Sequence, residues 1–115
     1  MKKIIPYGSQ YIDKSDIKDV STALSKDIIT SGATTLKFEK KISEYLNCKY
    51  AVTSNSGTSA IFIALHALNL KKGDKIIMPA INFIASYNAA KLLGAKIYLA
   101  DVDQYTGQMR PEDVE

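Results

Sequence analysis

Six consecutive small residues, Ser54, Asn55, Ser56, Gly57, Thr58 and Ser59, stand between the alternating residues 50–53 and an apolar run at 60–65. That order predicts a strand, a tight turn and a helix. A helix start leaves backbone N–H groups without intrahelical partners, and its dipole favours an anion. Gly57 lets the backbone approach a ligand closely. The N–H groups of Thr58, Ser59 and Ala60 are the donors expected to be free, and the hydroxyls of Ser56, Thr58 and Ser59 add more. The chemistry this supports is the holding of one small phosphate group. Ordinary capping also puts Ser, Asn and Gly at helix starts, so composition leaves both readings open. No P-loop lysine follows the turn and no G-x-G-x-x-G is present, which points away from a nucleoside triphosphate or a dinucleotide.

Three further places carry chemistry-bearing residues. Pro79 ends an expected strand, and Asn82 and Phe83 follow in the loop at the same edge of the sheet. An aromatic there could cover a flat ring held by the phosphate site, although by position Phe83 reads first as the opening core residue of the next helix. Asp101 and Asp103 end a third strand. Residues at i and i+2 of a continuing strand share a face only if the strand is regular, and the aspartates read better as turn caps than as a joint site. His66 lies in an apolar helix and reads as a core histidine. Cys48 has no activating neighbour in sequence.

These residues need elements to hold them. Ile17, Val20 and Leu24 fall on one face of a helix for which Ser15 is a plausible N-cap. Phe38, Ile42, Tyr45 and Leu46 define a second amphipathic helix ending near Asn47. From Lys49 the pattern changes to strand (50–53), helix (58–68), turn (71–75), strand (75–78), helix (83–93, stopped by Gly94) and strand (96–100). Alternation of that kind predicts an α/β chain with parallel βαβ units. Pro111 with Glu112 and Asp113 begins another helix, yet the sequence stops four residues after the proline. The expectation is that these residues are the N-terminal part of a longer protein.

Bulk properties narrow the class. The chain has 115 residues, a formal charge of +3 and one cysteine. Its lysines are scattered rather than gathered in a stripe, which points away from nucleic acid. One cysteine permits neither an internal disulfide nor a multi-thiolate zinc site and suits a reducing compartment. Lys2 and Lys3 precede only two apolar residues before Pro6, so no signal peptide is read. The longest apolar run, residues 60–65, is far short of the ~20 residues of a membrane span. The expected setting is cytoplasmic.

In order, the segments "NSGTSAIFIAL", "GDKIIMPAINFIASYNAA" and "GAKIYLADVD" resemble the DegT/DnrJ/EryC/StrS family of sugar-nucleotide aminotransferases. The upstream "IPYGSQYIDKSDIKDV", "IITSG" and "FEKKISEYL" are similar to that family's N-terminal arm and first helices. The resemblance implies the N-terminal portion of the large domain of a fold-type I, aspartate-aminotransferase-like enzyme, three-layered around a mostly parallel sheet. Residues 1–48 would be the arm and two helices, and 49–115 the first βαβαβ part of the cofactor-binding domain. The implied cofactor is pyridoxal 5′-phosphate (PLP). The implied substrates are a nucleotide-linked 4-keto-6-deoxy sugar and an amino-acid donor, glutamate, in a homodimer. Within the family the likeness is greatest to members that aminate C4 of a UDP-4-keto-6-deoxy-N-acetylhexosamine, as in pseudaminic acid synthesis.

Carried over by residue, the resemblance makes Gly57, Thr58 and Ser59 half of the PLP phosphate site and Phe83 the ring-stacking aromatic. It puts Ser31 near the substrate. Asn82 stands where the family often has Thr or Ser. No catalytic residue is implied within the chain, because the family's Schiff-base lysine and the aspartate that pairs with the pyridine nitrogen lie beyond residue 115; Lys71, Lys72 and Lys75 belong to a turn. Two other readings remain at this stage. Some family members carry histidine in place of the lysine and dehydrate the sugar. A small free-standing α/β module that binds a phosphorylated ligand is the reading from another class.

Overall fold

The computed structural model describes residue 6 and residues 8–114. Residues 1–5, 7 and 115, and with them Lys2, Lys3 and the beginning of the arm, lie outside the described residues. The chain forms two compact units, one ending at Val52 and the other beginning at Thr53.

The first unit contains helices α1 (Lys14–Leu24) and α2 (Ala33–Tyr45). The N-cap of α1 is Asp13, not Ser15: its carboxylate accepts the N–H groups of Ser15 (2.7 Å) and Asp16 (3.1 Å), and the Asp16 side chain accepts the N–H of Asp13 (3.0 Å). This closed capping box consumes the donors at the start of α1. A carboxylate two residues upstream outcompetes the serine because it accepts both N–H groups at once. Helix α2 ends as its sequence predicts. Asn47 takes a left-handed φ of 50°, the N–H of Cys48 reaches the carbonyl of Ser43 (2.9 Å), and that of Asn47 reaches Glu44 (3.2 Å). These are the paired bonds of a Schellman motif.

The second unit runs α3 (Gly57–Ala67), β1 (Lys75–Pro79), α4 (Ala85–Leu92), β2 (Lys96–Ala100) and a short 3-10 turn (Pro111–Asp113). The strands pair in parallel, Lys75 with Lys96 through Pro79 with Ala100. The ladder is extended at both ends, by Lys96 N–H to Asp74 (2.7 Å) and Ala80 N–H to Ala100 (2.8 Å). A parallel pair needs a crossover, and α4 supplies it. Helix α4 packs on both α3 and β2. Its Ala85, Ala89 and Ala90 are buried together with Met78 and Ala100. Small side chains let the helix backbone come close to its neighbours.

The strand expected at residues 50–53 does not form among the described residues. A strand exists through its ladder of hydrogen bonds, and the one sheet described here is the β1–β2 pair. The expected helix at 83–93 is shorter, since Phe83 and Ile84 precede α4 and Leu93 caps its end. Both α3 and α4 close with Schellman motifs, at Asn69 (φ 60°) and Gly94 (φ 81°). Gly94 has a second constraint: a Cβ there would meet the backbone and side chain of Lys72 at 3.1–3.2 Å. No helix among the described residues is long and apolar enough to cross a membrane.

Candidate functional site

The turn at 54–59 sorts its polar groups into two sets. Ser56 is the N-cap of α3, in extended backbone (φ −162°, ψ 159°), and its Oγ accepts the N–H of Ser59 at 3.2 Å. The same hydroxyl shares a hydrogen bond with Ser59 Oγ (3.1 Å). Ser54 Oγ donates to the carbonyl of Ser56 (2.9 Å), which also receives the N–H of Ala60 (3.0 Å). Of the three N–H groups expected to be free, those of Ser59 and Ala60 are therefore occupied. Capping takes the first, and the first intrahelical bond takes the second.

What is left forms the second set. Among the described residues, the N–H groups of Gly57 and Thr58 and the hydroxyl of Thr58 have no partner, and the Ser59 hydroxyl is bonded to that of Ser56. Gly57 and Thr58 are exposed and Ser59 is half-buried. A Cβ built on Gly57 meets nothing within 4 Å, so neither its backbone nor its neighbours demand glycine. The turn contains no carboxylate, and its free N–H groups stand at the positive end of a helix. That donor set fits a phosphate group, which accepts hydrogen bonds and carries negative charge.

The other candidate residues are placed as follows. Asn82 and Phe83 leave the C-terminal end of β1, and Asp101 and Asp103 leave the C-terminal end of β2, so both loops lie at one edge of the sheet. That is the edge at which open parallel sheets hold ligands. Asn82 donates its side-chain amide to the carbonyl of Pro79, which folds it onto its own loop. It lines a cavity of about 220 Å³ with Met78, Ile84, Tyr87 and Leu99. Phe83 is 77% exposed within this chain and lies ahead of the first turn of α4. Thr58 and Ser59 line a different groove, about 280 Å³, with Phe62, Ile63 and α4 residues Asn88, Ala89 and Leu92. Phe83 lines neither. Ser31 belongs to the first unit and is exposed at the approach to α2.

Asp103 is a turn cap, not half of a carboxylate pair. Its Oδ1 accepts the N–H groups of Tyr105 (3.1 Å) and Thr106 (2.8 Å) and the hydroxyl of Thr106 (3.0 Å). These bonds, the Thr106 N–H first, hold its carboxyl below the usual carboxylate range. Arg110 reaches Asp103 (3.5 Å), Glu112 (3.4 Å) and Asp113 (3.1 Å). The hydrogen bond to Asp113 raises the Arg110 guanidinium and, in return, lowers the Asp113 carboxyl. Sequence reading passed over Arg110. Its signal was the i, i+3 spacing to Asp113 beside a proline, which is a capping pattern. His66 stacks on Phe62 at 6.2 Å and is exposed within this chain. Cys48 donates weakly to the carbonyl of Tyr50 (3.2 Å) and is exposed.

The profile of the DegT/DnrJ/EryC1/StrS aminotransferase family matches residues 10–115. A UDP-4-amino-4,6-dideoxy-N-acetyl-beta-L-altrosamine transaminase of Campylobacter jejuni is 39% identical over 100 residues, which is 86% of this chain and 26% of that protein. A putative sugar aminotransferase from Streptococcus pneumoniae, solved in its PLP form, superposes with a TM-score of 0.87 at 29% identity, covering 96% of this chain and 28% of that one. An Escherichia coli GDP-4-keto-6-deoxy-D-mannose-3-dehydratase with bound hydrated PLP superposes with a TM-score of 0.86 at 28% identity, covering 93% and 29%. The chain spans about a quarter to a third of the length of the curated relatives it matches. Its fold is that of the N-terminal portion of the fold-type I PLP enzymes.

Proposed function

The chain belongs to the DegT/DnrJ/EryC1/StrS aminotransferase family, and from that premise we propose that it supplies the first half of a PLP phosphate site. The observation that carries this reading is the set of unpartnered donors at Gly57 and Thr58, with no acidic group in the turn. Bound PLP would supply an electron sink for amino-group chemistry. The chain's own residues would bind and orient it. The N–H groups of Gly57 and Thr58 and the hydroxyls of Thr58 and Ser59 would hold the phosphate, and Phe83 would lie against the ring. Ser31 would meet the substrate.

In this proposal the whole protein moves an amino group from glutamate to a nucleotide-linked 4-keto-6-deoxy sugar. C4 of a UDP-N-acetylhexosamine is the preferred acceptor, as in pseudaminic acid synthesis; the similarity to the Campylobacter jejuni transaminase supports that choice. Residues 1–48 act as arm and helices, and 49–115 as the opening of the cofactor domain. None of the lysines in this chain serves as the covalent lysine. The working form is a homodimer in the cytoplasm, in keeping with a single cysteine and a reducing compartment.

Sugar dehydration is the second reading, favoured by the near-equal superposition on the Escherichia coli dehydratase. One assay separates the two. The full-length protein, loaded with PLP, is given glutamate and a UDP-4-keto-6-deoxy-N-acetylhexosamine, and the products are weighed by mass spectrometry. A 4-amino sugar formed in step with 2-oxoglutarate supports transamination. A sugar that has lost water and gained no nitrogen overturns it.

A further inference from the structure

Amphipathic helices that pack together usually turn apolar faces toward each other. Helices α1 and α2 instead share a groove of about 500 Å³, lined by Asp19 and Lys26 from one side and by Thr34, Lys37 and Lys41 from the other. The apolar face of α1, Ile17, Val20 and Leu24, is more than half exposed within this chain. Lys26 donates to the hydroxyl of Thr34 at 2.9 Å, which holds its ammonium in the groove. Lys37 and Lys41 stand one turn apart on α2, about 6 Å along its axis. Among the described residues none of these three lysines is ion-paired; the lysine that is, Lys40, pairs with Glu44 (3.9 Å). Three ammonium groups against the one carboxylate of the lining, Asp19, leave an excess of two positive charges among the described residues. Like charges on facing walls repel, and an anion between them removes that cost. We propose that this groove holds the diphosphate of the nucleotide-linked substrate. This rests on the reading of the protein as an enzyme of nucleotide-linked sugars. A diphosphate accepts hydrogen bonds only, and its two phosphates give ammonium groups on both walls a partner. Phe38 lines the same groove and offers a flat apolar face to the base. Ser31, which the proposed function puts at the sugar, lies just before α2, whose first turn carries Thr34 into the groove.

The probe is UDP, titrated into the full-length protein by calorimetry. With Lys37→Ala and Lys41→Ala combined, UDP affinity is expected to fall about tenfold, the worth of two exposed ion pairs, while PLP binds as before. Alanine is a good helix former, so α2 should persist, and the melting temperature checks that it does. Lys37→Arg with Lys41→Arg keeps both charges and is expected to keep the affinity. In the alanine variant the KM for a UDP-4-keto-6-deoxy-N-acetylhexosamine is expected to rise by the factor that UDP affinity loses. Equal UDP binding by the unmodified protein and the alanine variant overturns the groove and leaves the nucleotide-sugar reading standing. A lowered UDP affinity beside an unmoved KM overturns the assignment of the groove to the substrate. An unmodified protein that neither binds UDP nor turns over the keto sugar overturns the nucleotide-sugar reading itself.

Discussion

The turn at 54–59 and the loop at 101–113 are both dense in polar residues, and both lie where parallel-sheet proteins tend to carry function. They spend their hydrogen bonds in opposite ways. In the loop, Asp103 accepts three donors, its N–H bonds Gln108 (2.9 Å), its carbonyl takes Gly107 (2.8 Å), and Arg110 links Asp103 to Asp113. In the turn, two serines secure the backbone, and donors at Gly57 and Thr58 are left facing out. Polar richness alone does not distinguish the two; the difference lies in the donors left over after internal bonding, which is what supports the proposal of the turn as the binding element and the loop as a clasp.

Four perturbations bear on that contrast. The largest effect is expected from Gly57→Val. A side chain there meets open space within the chain, so the fold should tolerate it, yet it would stand where the phosphate approaches the N–H groups of Gly57 and Thr58. Loss of two hydrogen bonds to a charged group predicts a fall in PLP affinity of about a hundredfold. Equal affinity, measured by dialysis with the melting temperature as control, would erase the distinction between turn and loop.

Next is Thr58→Ala, expected to weaken PLP about tenfold through one lost hydroxyl contact while leaving pyridoxal binding as it was. Asp103→Ala sharpens the contrast from the other side. The clasp opens, the melting temperature of the full-length protein falls by a few degrees, and its PLP affinity is unchanged. A change in affinity equal to that of Thr58→Ala would make the loop part of the site.

The smallest effect is one of pH. The carboxyls of Asp103 and Asp113 are both lowered in the folded chain, by hydrogen bonds first from Thr106 and from Arg110. Groups lowered in this way stabilise the fold above the unfolded aspartate value of about 3.9, and that contribution is lost as pH falls through their lower folded values. Protection factors of the amides in residues 103–113, with rates corrected for the intrinsic slowing of exchange in acid, should therefore fall as the solution is taken below about pH 4. Protection that stays constant to lower pH would show that the clasp does not depend on its charges.

Much of this was legible in the sequence, for reasons that can be named. The βαβ alternation after residue 74 follows from runs of β-branched and apolar residues punctuated by Gly73 and Gly94. Asn47 and Gly94 marked helix ends because each takes a positive φ cheaply. What sequence could not settle was competition. Asp13 and Ser15 are both good caps, and geometry gave the role to the carboxylate. Six polar residues at 54–59 said that donors were present, but which were already spent depends on the extended backbone of Ser56. The strand expected at 50–53 had the right alternation, yet a strand also needs a neighbour, and pairing is invisible in one segment.

The most direct test of the central claim is a crystal structure of the full-length protein with PLP bound. The account predicts the phosphate at hydrogen-bonding distance, about 2.7–3.2 Å, from the backbone nitrogens of Gly57 and Thr58, with the hydroxyls of Thr58 and Ser59 directed at it and Ser56 still bonded to Ser59. A phosphate held elsewhere, with the Gly57 and Thr58 N–H groups left to water, would contradict it.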